Sequence, residues 1–208
     1  MKLYYAPGTC ALAPHIVLEW IGVPYEAERV DPSSDAYRRI NPLGMVPALQ
    51  DGGPRVMTQA DAILKYISAK HPEAMLGAGD GPEAEFDMDE ALAFLTGDMH
   101  PAFWPFFAPQ RYTTKGDAES LTAVREAAYP RIDRAMLHLD AMLTGARHVV
   151  GGRRSIADPY AFAMVRWTEN LPKTWKEYPA IKPFMERMYN DACVAKVMGI
   201  QGLKRPDS

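Results

Sequence analysis

The chain has 208 residues, of which 48% are hydrophobic and 24% are charged, and its formal net charge at pH 7 is −3. This composition argues against a disordered chain, and the negative charge argues against a nucleic-acid-binding protein. No apolar run approaches the length of a membrane span. We therefore expect a globular protein with a sizeable core that handles small molecules, with neither nucleic acid nor a membrane among its partners.

Two cysteines, Cys10 and Cys193, lie at opposite ends of the sequence. So few cysteines are typical of a reducing compartment, so we expect free thiols and a cytoplasmic location. The first residues resemble a secretory signal, because a lysine precedes apolar residues and Ala-Leu-Ala follows at 11–13. Pro7 and Gly8 interrupt that apolar stretch long before it reaches the length of a signal sequence.

The first third of the chain alternates between strand and helix patterns. Residues 2–5 and 25–30 predict strands, and residues 11–21 between them predict a helix that stops at the Gly-Val-Pro sequence 22–24. Two strands joined through a helix form a βαβ unit, whose strands are parallel.

A ββα unit is predicted to follow. Residues 45–49 predict a strand that contains Pro47, which belongs at an edge, a bulge or a special turn because it lacks an amide donor. The two glycines at 52–53 favour a hairpin into a strand at 56–57. Thr58 and Asp61 have capping-box spacing, so we predict that Thr58 caps the next helix.

The remainder of the chain is predicted to be helical. Three glycines and a proline in residues 76–82 are typical of a linker. We predict one domain over residues 1–76, a linker over 77–83 and a helical domain over 84–208. Its predicted helices are 83–95, 117–143, 156–170 and 180–198. Pro130 is expected to kink or break the second of these, and the Ser155-x-x-Asp158 spacing is assigned to helix capping.

Cys10 occupies the most informative position, between the first strand and the first helix. The unpaired N–H groups and the positive dipole at a helix N-terminus favour a thiolate. We therefore predict that the pKa of Cys10 lies below the free value of about 8.5, and that Cys193 does not share this shift. The alternative is that Cys10 is a small buried apolar residue.

Taken together, these features resemble the cytosolic glutathione transferases, most closely the bacterial beta class. The resemblance rests on residues 3–15 (LYYAPGTCALAPH), 41–49 (NPLGMVPAL), 62–66 (AILKY), 98–100 (DMH) and 155–158 (SIAD). It implies an α/β thioredoxin-like N-terminal domain (βαβ-ββα) with an all-α C-terminal helical domain. It also implies a homodimer, with glutathione as co-substrate and no other cofactor or metal.

The resemblance also implies roles for individual residues. Cys10 would lie beside the glutathione sulfur and could form a mixed disulfide with it. Pro47 would be the cis-proline that turns the main chain of Val46 toward the cysteinyl unit of glutathione, with Met45 alongside. His100 would approach the sulfur from the helical domain, although a histidine at a dimer contact is the alternative.

One departure from the family pattern concerns the γ-glutamyl end of glutathione. The family carries an acid or Gln followed by Ser there, whereas this chain has Gln59 and Ala60. Gln59 can still accept a hydrogen bond but carries no charge, and Ala60 has no hydroxyl. Backbone N–H groups at that helix start, or Asp98 of a partner copy, would have to compensate.

An aromatic cluster predicts the pocket for an apolar co-substrate. Its predicted members are Phe103, Phe107, Tyr112 and Trp167, with Phe103 and Phe107 nearer the ligand than Trp104. Aromatic residues interrupted by prolines are awkward for a regular helix and suit a cleft, although packing in the core is the alternative. Arg38 and Arg39 are candidates for the glycine carboxylate of glutathione.

Three functions follow, in order of preference. The first is conjugation of glutathione to small apolar electrophiles. The second is a glutathione-dependent disulfide reductase or peroxidase in which Cys10 is the nucleophile and glutathione the resolving thiol. The third is a non-catalytic binding protein with a weakened ligand site.

Overall fold

The computed structural model of the chain describes residues 1–206. Within that range the N-terminal unit contains a four-stranded sheet with strand order β2-β1-β3-β4. The strands are β1 (Lys2–Tyr5), β2 (Glu26–Arg29), β3 (Ala48–Gln50) and β4 (Val56–Thr58). Strand β1 pairs parallel with β2 and antiparallel with β3, and β3 pairs antiparallel with β4. The predicted βαβ-ββα order is confirmed.

Three helices accompany this sheet: α1 (Leu12–Ile21), α2 (Asp35–Arg38) and α3 (Ala60–Lys70). Helix α2 is a single short turn inside the stretch that the sequence marks as polar and turn-rich, and Ser34 caps it by accepting from the N–H of Tyr37. Helix α1 ends at Gly22, which has a left-handed backbone with φ 76°. Glycine adopts this conformation without the strain that a side chain would add, so the predicted stop is confirmed.

The predicted Thr58 cap of helix α3 is wrong. Thr58 is the last residue of β4 and pairs with Ala48 across the sheet. The helix begins after Gln59, whose backbone has φ 73° and ψ 119° and whose side chain caps nothing. Because Gln59 makes the sharp turn from strand to helix, the first N–H groups of α3 have no side-chain cap.

The C-terminal unit is helical, as predicted. Its helices are α4 (Pro82–Phe94), α5 (His100–Phe107), α6 (Ala118–Leu143), α7 (Ala157–Val165), α8 (Ile181–Asn190) and α9 (Ala192–Gln201). Helix α6 runs through Pro130 without a break. The predicted single helix over 180–198 is wrong, because the extended backbone of Asp191 separates α8 from α9.

Helices α4 and α5 are joined by a π-helical turn, Leu95–Met99. Pro101 has no N–H to donate to the carbonyl of Gly97 four residues earlier, so the regular ladder is interrupted here. The N–H of His100 instead donates to the carbonyl of Leu95, five residues back. The sequence analysis marks the aromatic and proline-rich segment as awkward for a helix. After this turn the segment is nevertheless helical, since it forms α5.

One contiguous apolar core joins the two units. Helix α1 packs against α3 on one side and against α7 and α9 on the other, so buried side chains such as Ile16 and Phe162 belong to the same cluster. The connection between the units is tied to the helical one, because Ile156 N–H donates to the Leu76 carbonyl. No helix within residues 1–206 is long and apolar enough to cross a membrane.

Candidate active site

Cys10 lies in the turn between β1 and α1, and only 7% of it is exposed. Its thiol donates to the main-chain carbonyl of Val46 over 3.3 Å. The Val46–Pro47 peptide bond is cis, as the family resemblance implies. The loop that carries this bond is shaped by its own residues, because the Tyr37 hydroxyl and the Asn41 amide both donate to the Met45 carbonyl at 2.7 Å.

Burial raises the pKa of Cys10 to about 12. The backbone N–H groups of Cys10 and Ala11 act in the opposite direction but are outweighed. The predicted low pKa is therefore wrong, because desolvation of the charged form dominates over the helix N-terminus. The pKa of Cys193 is also raised, chiefly by burial and by the charge of Asp191. Neither cysteine of the described chain is in a disulfide.

A cavity of about 220 Å³ opens beside Cys10. Seven predicted site residues line it: Cys10, Met45, Val46, Pro47, Gln59, Ala60 and His100. Six others were not predicted to line it, which are Asn41, Leu43, Thr58, Thr96, Trp104 and Tyr160. The polar residues Asn41, Thr58 and Gln59 therefore stand beside apolar ones in its lining.

A second cavity, of about 360 Å³, adjoins the first. It shares Cys10, Met45, Val46 and His100 with the first cavity and adds the aromatic side chains of Phe107 and Trp167. Cys10 and His100 therefore lie where the two cavities meet.

His100 enters the site from the first turn of α5. Its ring centroid lies 5.0 Å from that of Trp167 and 5.9 Å from that of Trp104. Burial lowers the pKa of His100 to about 4. The imidazole is therefore neutral at pH 7, when it has one N–H to donate and one nitrogen to accept.

Tyr160 is the most informative residue that the sequence analysis missed. It lies in α7, is almost fully buried, and accepts a hydrogen bond from the Thr96 hydroxyl over 3.3 Å. Its pKa is raised by burial and then by the proximity of Cys10, so it stays protonated. A tyrosine hydroxyl that accepts one hydrogen bond can still donate another. The apolar pattern behind Ser155 gives no sign that Tyr160 lines this cavity.

Comparisons with known proteins agree with this geometry. Residues 8–70 match the glutathione S-transferase N-terminal domain, and residues 95–192 match the C-terminal domain. Glutathione S-transferase GST-4.5 of Xanthomonas campestris pv. campestris is 34% identical over 206 residues, covering 98% of this chain and 100% of the relative.

The chain belongs to the glutathione S-transferase family. A bacterial beta-class member from Sphingomonas chungbukensis superposes with a TM-score of 0.87 at 31% identity, over 98% of this chain and 100% of the other. A sphingomonad glutathione S-transferase solved in complex with glutathione gives 0.86 at 30% identity, over 98% and 100%. The protein is thus a glutathione transferase with a thioredoxin-like unit, and it is similar to bacterial members.

Only some of the aromatic residues predicted to form the co-substrate pocket of this transferase line a cavity. Phe107 and Trp167 line the second cavity, and Trp104 lines the first. Phe103 has no exposed surface and packs against Phe107 and Trp167, so it belongs to the core and not to the cavity wall. Tyr112 is 45% exposed and lines neither cavity. Trp104 therefore lines a cavity at Cys10 and Phe103 does not, while their distances from a bound ligand stay a prediction.

Three charged candidates lie outside the two cavities. Asp98 is exposed on the π-helical turn and faces a separate cleft that contains Arg131 and Arg134. Arg38 and Arg39 are exposed on the surface near α2, and neither lines a cavity beside Cys10. Within one copy of the transferase, the site at Cys10 is therefore formed by neutral polar groups.

Proposed function

We propose that this glutathione transferase conjugates glutathione to small apolar electrophiles, with the glutathione sulfur beside Cys10. The observation that carries the proposal is the meeting of two cavities at Cys10 and His100. The cavity with Asn41 and Gln59 suits a polar tripeptide, and the cavity with Phe107 and Trp167 suits an apolar co-substrate. The two ligands would react where the cavities meet.

Glutathione binding would change the hydrogen bond that Cys10 makes. In the structure the Val46 carbonyl accepts from the Cys10 thiol. The family resemblance implies that the same carbonyl accepts from the cysteinyl N–H of glutathione. That exchange would release the Cys10 S–H to donate to the glutathione sulfur. The uncapped N-terminus of α3, beside Gln59, would face the γ-glutamyl carboxylate.

The chemistry follows from the neutral donors at the junction. The glutathione thiol loses its proton to solvent, and the resulting thiolate is stabilised by hydrogen bonds from Cys10, His100 and Tyr160. The thiolate then attacks the electrophilic carbon, so a C–S bond forms while the leaving group departs with its electron pair. Removing any one donor weakens the stabilisation without abolishing it.

The alternative in which Cys10 is the nucleophile is disfavoured by its pKa. A thiol with a pKa of about 12 is almost wholly protonated at pH 7, and only the thiolate attacks a disulfide. The same protonated thiol is suited to donate a hydrogen bond. We therefore prefer conjugation, with Cys10 as a donor, to the reductase or peroxidase function. Membership of an enzyme family also favours both enzyme functions over a non-catalytic binding protein.

We further propose a homodimer in the cytoplasm. Asp98 faces away from the Cys10 cavities of its own chain, so it can supply a charge to glutathione only in a partner copy. The free thiols of Cys10 and Cys193 are typical of a reducing compartment.

Cysteine variants separate conjugation from disulfide chemistry. We expect Cys10→Ser to keep most of the conjugation rate with chlorodinitrobenzene, since the hydroxyl still donates, and Cys10→Ala to lose about two- to tenfold, the worth of one hydrogen bond. Tyr160→Phe should cost a similar factor for the same reason, and Cys193→Ala should change nothing. Loss of all conjugation in both Cys10 variants would contradict the role of Cys10 as one of several hydrogen-bond donors.

A further inference from the structure

Gly8, two residues before Cys10, is held through both of its backbone polar groups by side chains of the helical unit. Its N–H donates to Oε1 of Gln201, the last residue of α9, over 3.2 Å. Its carbonyl accepts from Nε1 of Trp167 over 2.8 Å. These partners are 193 and 159 residues away in the sequence, so the Cys10 turn is fixed by the second unit.

The orientation of the Gln201 amide is itself determined. Gln201 is only 4% exposed, and its side-chain nitrogen lies 3.0 Å from Nδ1 of His15. The Gly8 N–H requires an oxygen as acceptor, so the amide nitrogen must face His15. Nδ1 of His15 then accepts, and the ring proton is on Nε2.

His15 is suited to hold that amide. It has no exposed surface, and burial lowers its pKa to about 4, so the ring is neutral and Nδ1 is free to accept at pH 7. Tyr5 and Tyr25 pack against the ring, with centroids at 5.2 Å and 5.5 Å. Within the described chain Nε2 has no hydrogen-bond partner. The only bond that His15 makes through its ring nitrogens in this range is the one that orients Gln201.

The end of α9 also closes over Gly8. Gly202 has a left-handed backbone with φ 68°, and the N–H of Leu203 donates to the Met198 carbonyl at 2.8 Å. This cap folds Leu203 back, so that a methyl group lies 3.4 Å from where a Cβ at Gly8 would stand. The end of α9 therefore lies beside the turn that carries Cys10.

We propose that Gln201, oriented by His15, is a positioning residue that fixes Gly8 and thereby the direction in which Cys10 presents its thiol. The inference rests on the proposed function, because it gives the α9 end of the helical unit control over the thiol that would meet glutathione. Gln201 and His15 lie behind the turn and line neither cavity at Cys10. They would act on the reaction only through Gly8.

Gln201→Met tests the proposal, because methionine has a similar shape but cannot accept from Gly8. We expect amide hydrogen exchange at Gly8 to become about tenfold faster. Alkylation of Cys10 by iodoacetamide, mapped by mass spectrometry, should rise about two- to tenfold, and kcat for conjugation should fall by a similar factor with little change in KM for glutathione. Lys196→Met is the control, since it breaks the exposed ion pair of α9 with Glu19 and does not touch Gly8.

Gln201→Glu provides the rescue. At this buried position the glutamate side chain takes up a proton, because an unpaired carboxylate there would be costly. Its carbonyl oxygen can then accept from Gly8 while its O–H donates to Nδ1 of His15. We expect Gly8 to stay protected and kcat to remain within about twofold of wild type.

The proposal is overturned if Gly8 exchange is unchanged in Gln201→Met, or if it rises while kcat and Cys10 alkylation match those of Lys196→Met. If Gln201→Met does not fold, loss of Gly8 protection in Gln201→Glu overturns it equally. Exchange and alkylation need no glutathione. Failure of the proposed conjugation therefore cannot be mistaken for failure of the positioning role.

Discussion

The behaviour of Cys10 depends on two opposing effects. The helix N-terminus favours a thiolate, whereas burial favours the neutral thiol, and burial is the larger effect. The neighbouring groups at the junction are neutral as well, since His100 has a lowered pKa and Tyr160 a raised one. A set of neutral donors is suited to stabilise a negative sulfur that a ligand brings in.

At the same scale, Gln59 and Ala60 stand where the family pattern has an acid or Gln followed by Ser. We predict that restoring an acid and a serine there increases the affinity for glutathione. We expect the double variant Gln59→Glu, Ala60→Ser to bind glutathione about ten- to a hundredfold more tightly, because a hydrogen bond to a charged group contributes about 1.5 to 3 kcal/mol. Calorimetric titration of wild type, both single variants and the double variant measures this. Unchanged affinity would mean that other groups, such as the N–H groups of α3, already hold the γ-glutamyl end.

At the scale of elements, a π-helical turn and a helix cap determine how the helical unit positions its side chains. The π-helical turn before Pro101 shifts the rotation at which His100 follows α4 into the site. Asp191 ends α8 and begins α9, because its carboxylate accepts from the N–H groups of Cys193 and Val194 and from the Trp20 indole. The start of α9 is thus tied to α1, and its end to Gly8.

Removing the α9 cap should therefore cost more than removing an isolated cap. We expect Asp191→Ala to lower the free energy of unfolding by about 2 to 4 kcal/mol, since it removes a cap worth about 1 kcal/mol and leaves the Trp20 N–H unpaired. The control, Asp117→Ala, removes the exposed cap of α6 and should cost less. Urea denaturation measures both. Equal losses would show that the Trp20 contact contributes little.

At the scale of the whole molecule, the site belongs to neither unit alone. Cys10, Val46 and Gln59 come from the sheet unit, while His100 and Tyr160 come from the helical unit. The continuous core around α1 keeps these groups in register. Asp98 lies in a cleft apart from the Cys10 cavities of its own copy. Under the proposed homodimer, the affinity for glutathione would therefore depend on assembly.

Assembly is tested by sedimentation together with a charge variant. We expect a dimer at micromolar concentration, and we expect Asp98→Asn to weaken glutathione binding about tenfold or more through loss of a charged hydrogen bond. Glu90→Gln, also exposed, is the matched control on α4 and should leave affinity unchanged. A monomer would remove the compensating role of Asp98.

The sequence by itself determined the order of elements and much of the site. Alternating strand and helix patterns, the stop at Gly22 and the hairpin glycines are local signals, because backbone preference and periodicity are set by neighbouring residues. The family motifs around Cys10, Pro47 and His100 likewise placed seven residues that the structure gathers at one cavity.

Only the tertiary structure determined the protonation states of those residues, their burial and the residues that contact them. The pKa of Cys10 depends on how deeply the thiol is buried. Phe103 is buried because α5 packs against Trp167. Tyr160 reaches the cavity in α7, where it contacts the π-helical turn through Thr96. The bond between Gly8 and Gln201 joins residues 193 positions apart. Burial, ring packing and long-range hydrogen bonds arise between elements, so no local pattern in the sequence encodes them.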